Sequence, residues 1–145
     1  MREIKFRAWD KLGKRMMEAG VVILDGYDHP YGAHIIDMDK CSHFMSDIEL
    51  MQYVGFKDKH GKEIYEGDIL RHTVEIIETD GSVEVSESRY EVLFEIGCFI
   101  TRTLDGCYPE YETFAERFSI GEGVNRLSDA EIIGNIYENV ATRAG

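Results

Sequence analysis

Apolar and polar residues alternate along much of this chain, and the alternation predicts strands. In EIKFRAW, residues 3–9, Ile4, Phe6 and Ala8 fall on one face and Lys5, Arg7 and Trp9 on the other. A period of two is the pattern of a strand with one face in a core and one in water. Trp9 thereby joins the basic face, where its ring can cover arginine stems or meet a partner, although burial under another segment is the favoured outcome. DKLGK at 10–14 predicts a turn, because Asp10 can bond its own backbone two residues on and Gly13 is free to take a positive φ. The chain is then expected to return through Met16 and Met17.

The clearest alternation is HTVEIIETDGSVEVSESRYEVLFEIG at 72–97. Asp80-Gly81 has the composition of a two-residue primed hairpin loop. Such a loop sets Ile76 opposite Val85 and Ile77 opposite Glu84. Val74, Ile76, Val83 and Val85 then share one face, and Glu75, Thr79, Ser82, Glu84 and Ser86 the other. A third strand is expected at 90–94 with Val92 and Phe94 inward, completing an antiparallel meander half exposed to water. Further strand-like runs lie at 21–24 and 34–38. PEYETFAERF at 109–118 predicts a short helix, since Pro109 suits a first turn and Tyr111, Phe114 and Phe118 recur at helical spacing. In LSDAEIIGNIYEN at 127–139, Ser128 and Glu131 fit a capping box, but the β-branched residues and Gly134 favour a terminal strand.

DKHGKEIYEGDIL at 58–70 repeats the DKLGK turn with one residue changed. Asp58 and Gly61 are expected to shape the bend, leaving Lys59 and His60 at its tip. Gly67 and Asp68 mark a second bend before the apolar pair Ile69 and Leu70. The echo spans only the turn, so it is repeated turn chemistry and not a duplicated domain.

Length and composition then narrow the class. A chain of 145 residues, 43% hydrophobic and 11% aromatic, suits a single domain, 1–145, with enough apolar material to fold. The start, MREIKFRAWD, carries five charges in ten residues with no apolar run and resembles neither a signal peptide nor a membrane span, so a cytoplasmic protein without membrane contact is expected. Cys41, Cys98 and Cys107 form no C-x-x-C pair and are expected to be reduced thiols. Asp and Glu number 28 against 16 Lys and Arg, a formal charge of −12, which disfavours broad nucleic-acid binding. The basic residues Arg2, Lys5, Arg7, Lys11, Lys14 and Arg15 cluster near the start, and the simplest reading makes them the wet side of a strand pair.

Two groupings carry candidate chemistry. Asp37, Asp39, Cys41 and His43 are spaced by two, so an uninterrupted strand would align oxygen, sulfur and nitrogen donors. One flat strand does not wrap an ion, and the spacing is no known ligand signature. Asp58, His60, Glu63, Glu66, Asp68 and His72 place carboxylates beside histidines, the raw material of acid–base catalysis, but turn chemistry already accounts for most of them and no nucleophile sits nearby. No Walker motif, phosphate-cradling glycine loop or H-E-x-x-H helix is present. No catalytic residue, cofactor or metal ligand is therefore assigned.

REIKFRAWDK at the start, MQYVGFKDKHGKEIYEGDIL in the middle and EIIGNIYEN at the end together resemble the YopX family of small phage- and prophage-encoded proteins. The resemblance implies a mainly β fold of antiparallel sheets with a small SH3-like barrel element and at most one or two short helices. It also implies that Gly61 and Gly67 form bends and that Tyr65 and Tyr137 help close the barrel. It brings no established reaction and no catalytic residues to carry over. Segments 18–48 and 73–128 are least similar to the family.

These readings converge on a non-enzymatic phage or prophage accessory protein that acts by meeting a host or phage protein. The expected contact residues are Trp9, Glu63, Glu66, Asp68, Glu75 and Glu84, an acidic surface that in its sharper form imitates DNA phosphates. A nucleic-acid binding module, resting on the basic first strand and Trp9, and an enzyme or metal-dependent protein, resting on the carboxylate and histidine groups, are the alternatives. Open sheet edges make a homo-oligomer a further expectation.

Overall fold

A computed structural model describes residues 3–23, 33–108, 110–114 and 129–138. The chain divides into two compact units, Met1–Gly55 and Phe56–Gly145. Strands dominate both. They are β1 (Phe6–Asp10), β2 (Arg15–Ile23), β3 (His34–Asp37), β4 (Ser42–Phe44), β5 (Ile48–Lys57), β6 (Glu63–Tyr65), β7 (Asp68–Ile77), β8 (Val83–Glu95), β9 (Cys98–Thr103), β10 (Tyr111–Thr113) and β11 (Glu131–Asn135). The expected mainly β, antiparallel class is what the chain adopts.

In the first unit the strand order is β4-β3-β2-β1-β5, and β5 continues into the second unit, where β6 takes the next place. Ala8, Met17, Ile35 and Ile48 form the buried centre, with Ala19, Val22, Met45 and Leu50 packed against it. β1 sits between β2 and β5, with Trp9 opposite Met16 on one side and Glu49 on the other. Ala8, Trp9 and Asp10 are buried in succession and Ile4 is exposed, so β1 departs from the predicted alternation. A period of two presumes one wet face, and at 8–10 neither face is wet.

The two echoing turns differ in mechanism. At 10–14 the amides of Leu12 and Gly13 both donate to Asp10 Oδ1 at 3.0 Å, but the left-handed residue is Lys14, φ 55°, not Gly13. Glycine is needed at 13 for space, since a Cβ there would lie 2.5 Å from Asp10 Oδ2. At 58–62, His60 and Lys62 amides donate to Asp58 Oδ1, each at 2.9 Å, and Gly61 carries the positive φ of 78°.

The second unit contains a sheet of order β10-β9-β8-β7-β11. Ile64, Ile69, Leu70, Val92 and Ala130 are fully buried, and Phe56 stacks on Phe114 with centroids 5.9 Å apart. β8 runs unbroken through Ser86–Arg89, so the predicted second and third strands of the meander are one strand, and β9 completes the meander. Val92 points inward as expected. Phe94 is half-exposed and makes an edge contact with Phe99. The segment predicted as a helix is strand over Tyr111–Thr113, paired with Ile100–Arg102, and Pro109 and 115–118 lie outside the described residues. The terminal strand formed as predicted, with a bulge between Ile132 and Gly134. Among the described residues neither sheet closes on itself. The outer strands of each sheet are different strands that do not pair, so open sheets stand where the family resemblance implied an SH3-like barrel element.

Candidate functional site

Among the described residues, the most exposed regular structure is the far half of the β7–β8 hairpin. Its tip is built by Glu78–Ser82. Glu78 N–H donates to Ser82 O at 2.8 Å, and Gly81 N–H donates to Glu78 O at 3.0 Å. Asp80 Oδ1 accepts from the Ser82 hydroxyl at 2.6 Å and amide at 2.9 Å, and these bonds, the hydroxyl first, hold its carboxyl below the usual range. Only Gly81 has a positive φ, 85°, whereas the predicted primed loop needs it at Asp80 as well. The result is a three-residue loop, Thr79–Gly81, of the kind in which a turn is followed by a left-handed glycine.

One added loop residue moves the register by one. Glu75 pairs with Val85, Ile76 with Glu84 and Ile77 with Val83, in place of the predicted Ile76–Val85 and Ile77–Glu84 pairs. Because side chains alternate across a strand, Thr73, Glu75, Ile77, Val83, Val85 and Glu87 now share one face, and Val74, Ile76, Glu84 and Ser86 the other. The predicted wet face, with Glu75 beside Glu84, is therefore split. Apolar side chains stay uncovered instead: Ile77 is 75% exposed, Val85 61% and Val83 57%.

The ribbon also outruns its neighbours. β11 pairs with β7 only over Asp68–Arg71, and β9 pairs with β8 only over Tyr90–Glu95. Among the described residues, Thr73–Ile77 and Val83–Glu87 are strand-paired only with each other. Residues 73–88 hold five acids, Glu75, Glu78, Asp80, Glu84 and Glu87, and no Lys or Arg. The surface is apolar at its centre and anionic at its borders.

A second constellation lies where the Asp58 turn meets β11. Asp58 is buried, and its Oδ2 accepts from the Ile132 amide at 3.1 Å while Lys59 N–H donates to Ala130 O at 2.9 Å. Burial alone would raise the Asp58 carboxyl, but the amides of Ile132, Lys62 and His60 outweigh it and hold the group below its usual range. Glu131 lies next to this turn. It accepts from Arg71 at 2.6 Å and pairs with His60 at 3.2 Å and Lys59 at 3.5 Å. These bonds, Arg71 first, lower its carboxyl to about 2. The arrangement fastens a turn to a strand, and His60 is engaged there and not with a substrate cleft.

The other predicted residues fall as follows. Trp9 is buried in the first unit. Glu63 is half-buried and accepts from the Tyr65 hydroxyl at 3.4 Å, and Glu66 is half-buried in the bend after β6. Asp68 is 1% exposed with Oδ2 accepting the Tyr65 amide at 2.8 Å, so it closes the bend and presents no charge to a partner. Glu75 and Glu84 are exposed on opposite ribbon faces. Tyr65 and Tyr137 are half-buried, and the turn after β11 is held by Asn135, whose Oδ1 accepts the Tyr137 and Glu138 amides.

The predicted donor row at 37–43 is broken by the turn between β3 and β4. Asp37 pairs with His43 at 2.8 Å and accepts the Cys41 amide at 2.9 Å, and these bonds, with the Asp39 backbone, lower its carboxyl, while the side chains of Asp39 and Cys41 are exposed. No group of three or more His, Cys, Asp or Glu side chains able to hold a metal occurs among the described residues. Three of the basic residues near the start have acidic neighbours, Lys5 with Glu3, Lys11 with Glu49 and Arg15 with Asp10, and Arg2 lies outside the described residues. Cys41, Cys98 and Cys107 are exposed free thiols, and no helix among the described residues is long and apolar enough to cross a membrane.

The sequence reading missed Arg71 and Glu131 as a pair, because 60 positions separate them. Its one signal was the strand pattern of 131–135, which brings Glu131 opposite Arg71.

Comparison with known proteins sets these features in context. A family model described as YopX protein matches residues 5–141. The crystal structure of protein EF1440 from Enterococcus faecalis is similar, with a TM-score of 0.61 and 24% identity over 99% of this chain and 99% of that one. At that identity the likeness shows the fold alone. Comparison with curated proteins gives no match.

Proposed function

The chain belongs to the YopX family, and from that premise we propose that it is a non-enzymatic accessory protein that holds another protein on its β7–β8 ribbon. The observation that carries this reading is the exposure of Ile77, Val83 and Val85 on a ribbon whose residues 73–88 hold five acids and no Lys or Arg. Isolated exposed apolar residues are ordinary, but three neighbours on one face of a two-stranded ribbon are the material of an interface. The acidic border steers a basic partner and repels other acidic surfaces. The phage or prophage setting implied by the family resemblance makes that partner a host or phage protein, met in the host cytoplasm.

The test compares the wild-type chain with a Glu75→Gln, Glu84→Gln, Glu87→Gln variant as bait in host lysate, at about 0.05 and 0.5 M salt, where screening lengths differ several-fold. One dominant partner, captured at low salt by the wild type and lost by the variant, is the expected result. Equal capture by both baits at both salts would refute the acidic ribbon as the binding surface.

A further inference from the structure

Resting on that reading, we infer that the ribbon takes its partner as an added strand along the free edge of β8, and that the partner segment alternates apolar residues with Lys or Arg. The edge from Val83 to Glu87 has no strand beside it among the described residues, because β9 begins pairing only at Tyr90. An unpaired edge offers backbone donors and acceptors to an extended peptide, and alternate side-chain positions provide selectivity. The length suits one ordinary strand.

Residue chemistry along this edge sets the pattern of the occupant. Val83, Val85 and Glu87 point to the face that also carries Ile77, and Glu84 and Ser86 point to the other. A strand laid beside β8 must alternate in the same way. Apolar side chains on its first face would cover Val83 and Val85, up to Glu87 at the end of that face, and a cation on its second face would meet Glu84. Natural edges are usually guarded by lysine, proline or a bulge. Here glutamates border the edge, and they guard selectively. A second copy of this chain would bring the same carboxylates to the contact with no cation among them, and the repulsion favours a basic occupant over self-pairing.

The probe is a fluorescent peptide of about seven residues alternating lysine and valine, a length typical of one strand. A glutamate–valine peptide is the charge control. Two further versions carry N-methyl groups on the valines only or on the lysines only, which leave charge and sequence intact but remove one row of backbone donors. The inference expects salt-sensitive binding of the lysine–valine peptide, amide shifts concentrated at residues 83–88, and a loss of about tenfold or more for one methylated version but not the other. Equal binding of both methylated versions would overturn strand addition while leaving the acidic interface standing. No binding of the lysine–valine peptide at low salt would overturn the inference, and the lysate comparison with the glutamine variant then decides whether the interface falls too. Self-association of the chain through residues 83–88, seen by sedimentation and amide shifts, would also overturn it.

Discussion

Replacing Asp58 separates the two jobs of one buried carboxylate. Oδ1 organises the turn by accepting the His60 and Lys62 amides, and Oδ2 reaches across to the Ile132 amide of β11. Hydrogen bonds to a charged acceptor are each worth about 1.5–3 kcal/mol, and their sum is reduced because the His60 and Lys62 amides belong to exposed residues and can turn to water. Asp58→Ala should therefore cost about 3–5 kcal/mol. Asp58→Asn keeps an oxygen for the turn but sets an N–H₂ group against the Ile132 N–H, so it should cost about 1–3 kcal/mol, felt at β11. Urea unfolding gives the totals, and the melting temperature should fall by about 2–4 °C for each kcal/mol in a chain of this size. Amide hydrogen exchange divides the effect. In the asparagine variant the Ile132 amide should exchange about tenfold faster or more while the Lys62 amide stays protected, and in the alanine variant both should speed up. An alanine variant within about 0.5 kcal/mol of wild type, the ordinary range for surface changes, would refute the reasoning, as would an asparagine variant that exposes Lys62 before Ile132.

Three further outcomes test neighbouring parts of the fold. Glu131, held at about 2 instead of its ordinary 4.5, contributes stability that is complete above its unfolded value and is lost as pH falls through the folded one; a Glu131→Gln variant should flatten the decline in urea midpoint between about pH 5 and pH 2, and parallel wild-type and variant profiles would count against the Arg71 pairing. In the two echoing turns, Gly61→Asn should cost well under 1 kcal/mol, roughly a few tenths, because the site needs only a left-handed backbone, whereas Gly13→Asn should cost about 1–2 kcal/mol by pushing Asp10 off the amides it accepts; equal costs in chemical denaturation would refute the distinction. Ile96 is fully exposed with φ 52° in the β8–β9 turn, a strained conformation for a β-branched residue, so Ile96→Asn should raise stability by about 0.5–1 kcal/mol, read as an upward shift of the melting temperature.

Turn and strand identity were legible wherever the controlling interaction is local. Asp58 with Gly61 predicted its bend because the side chain and the backbone it bonds are at most four residues apart. The terminal strand was legible because β-branched residues crowd a helix and suit a pleat. Asp80-Gly81 marked the hairpin but not its loop length, since the same dipeptide serves loops with one or two left-handed residues. That single uncertainty set the register and hence which glutamate lies beside which valine. The two-residue turn formed instead at Ile96-Gly97, where the composition gave a poorer signal.

By itself the sequence determined a mainly β chain, its principal turns, an acidic balance and the family pattern, all properties of neighbouring residues or of composition. Tertiary structure decided what distant partners decide. β1 became buried on both faces, Asp68 turned inward, Arg71 met Glu131, and β9 and β11 ended short of the hairpin tip. The ribbon is exposed for that last reason: alternation states that a strand has two faces, and only the extent of the neighbouring strands states whether anything covers them.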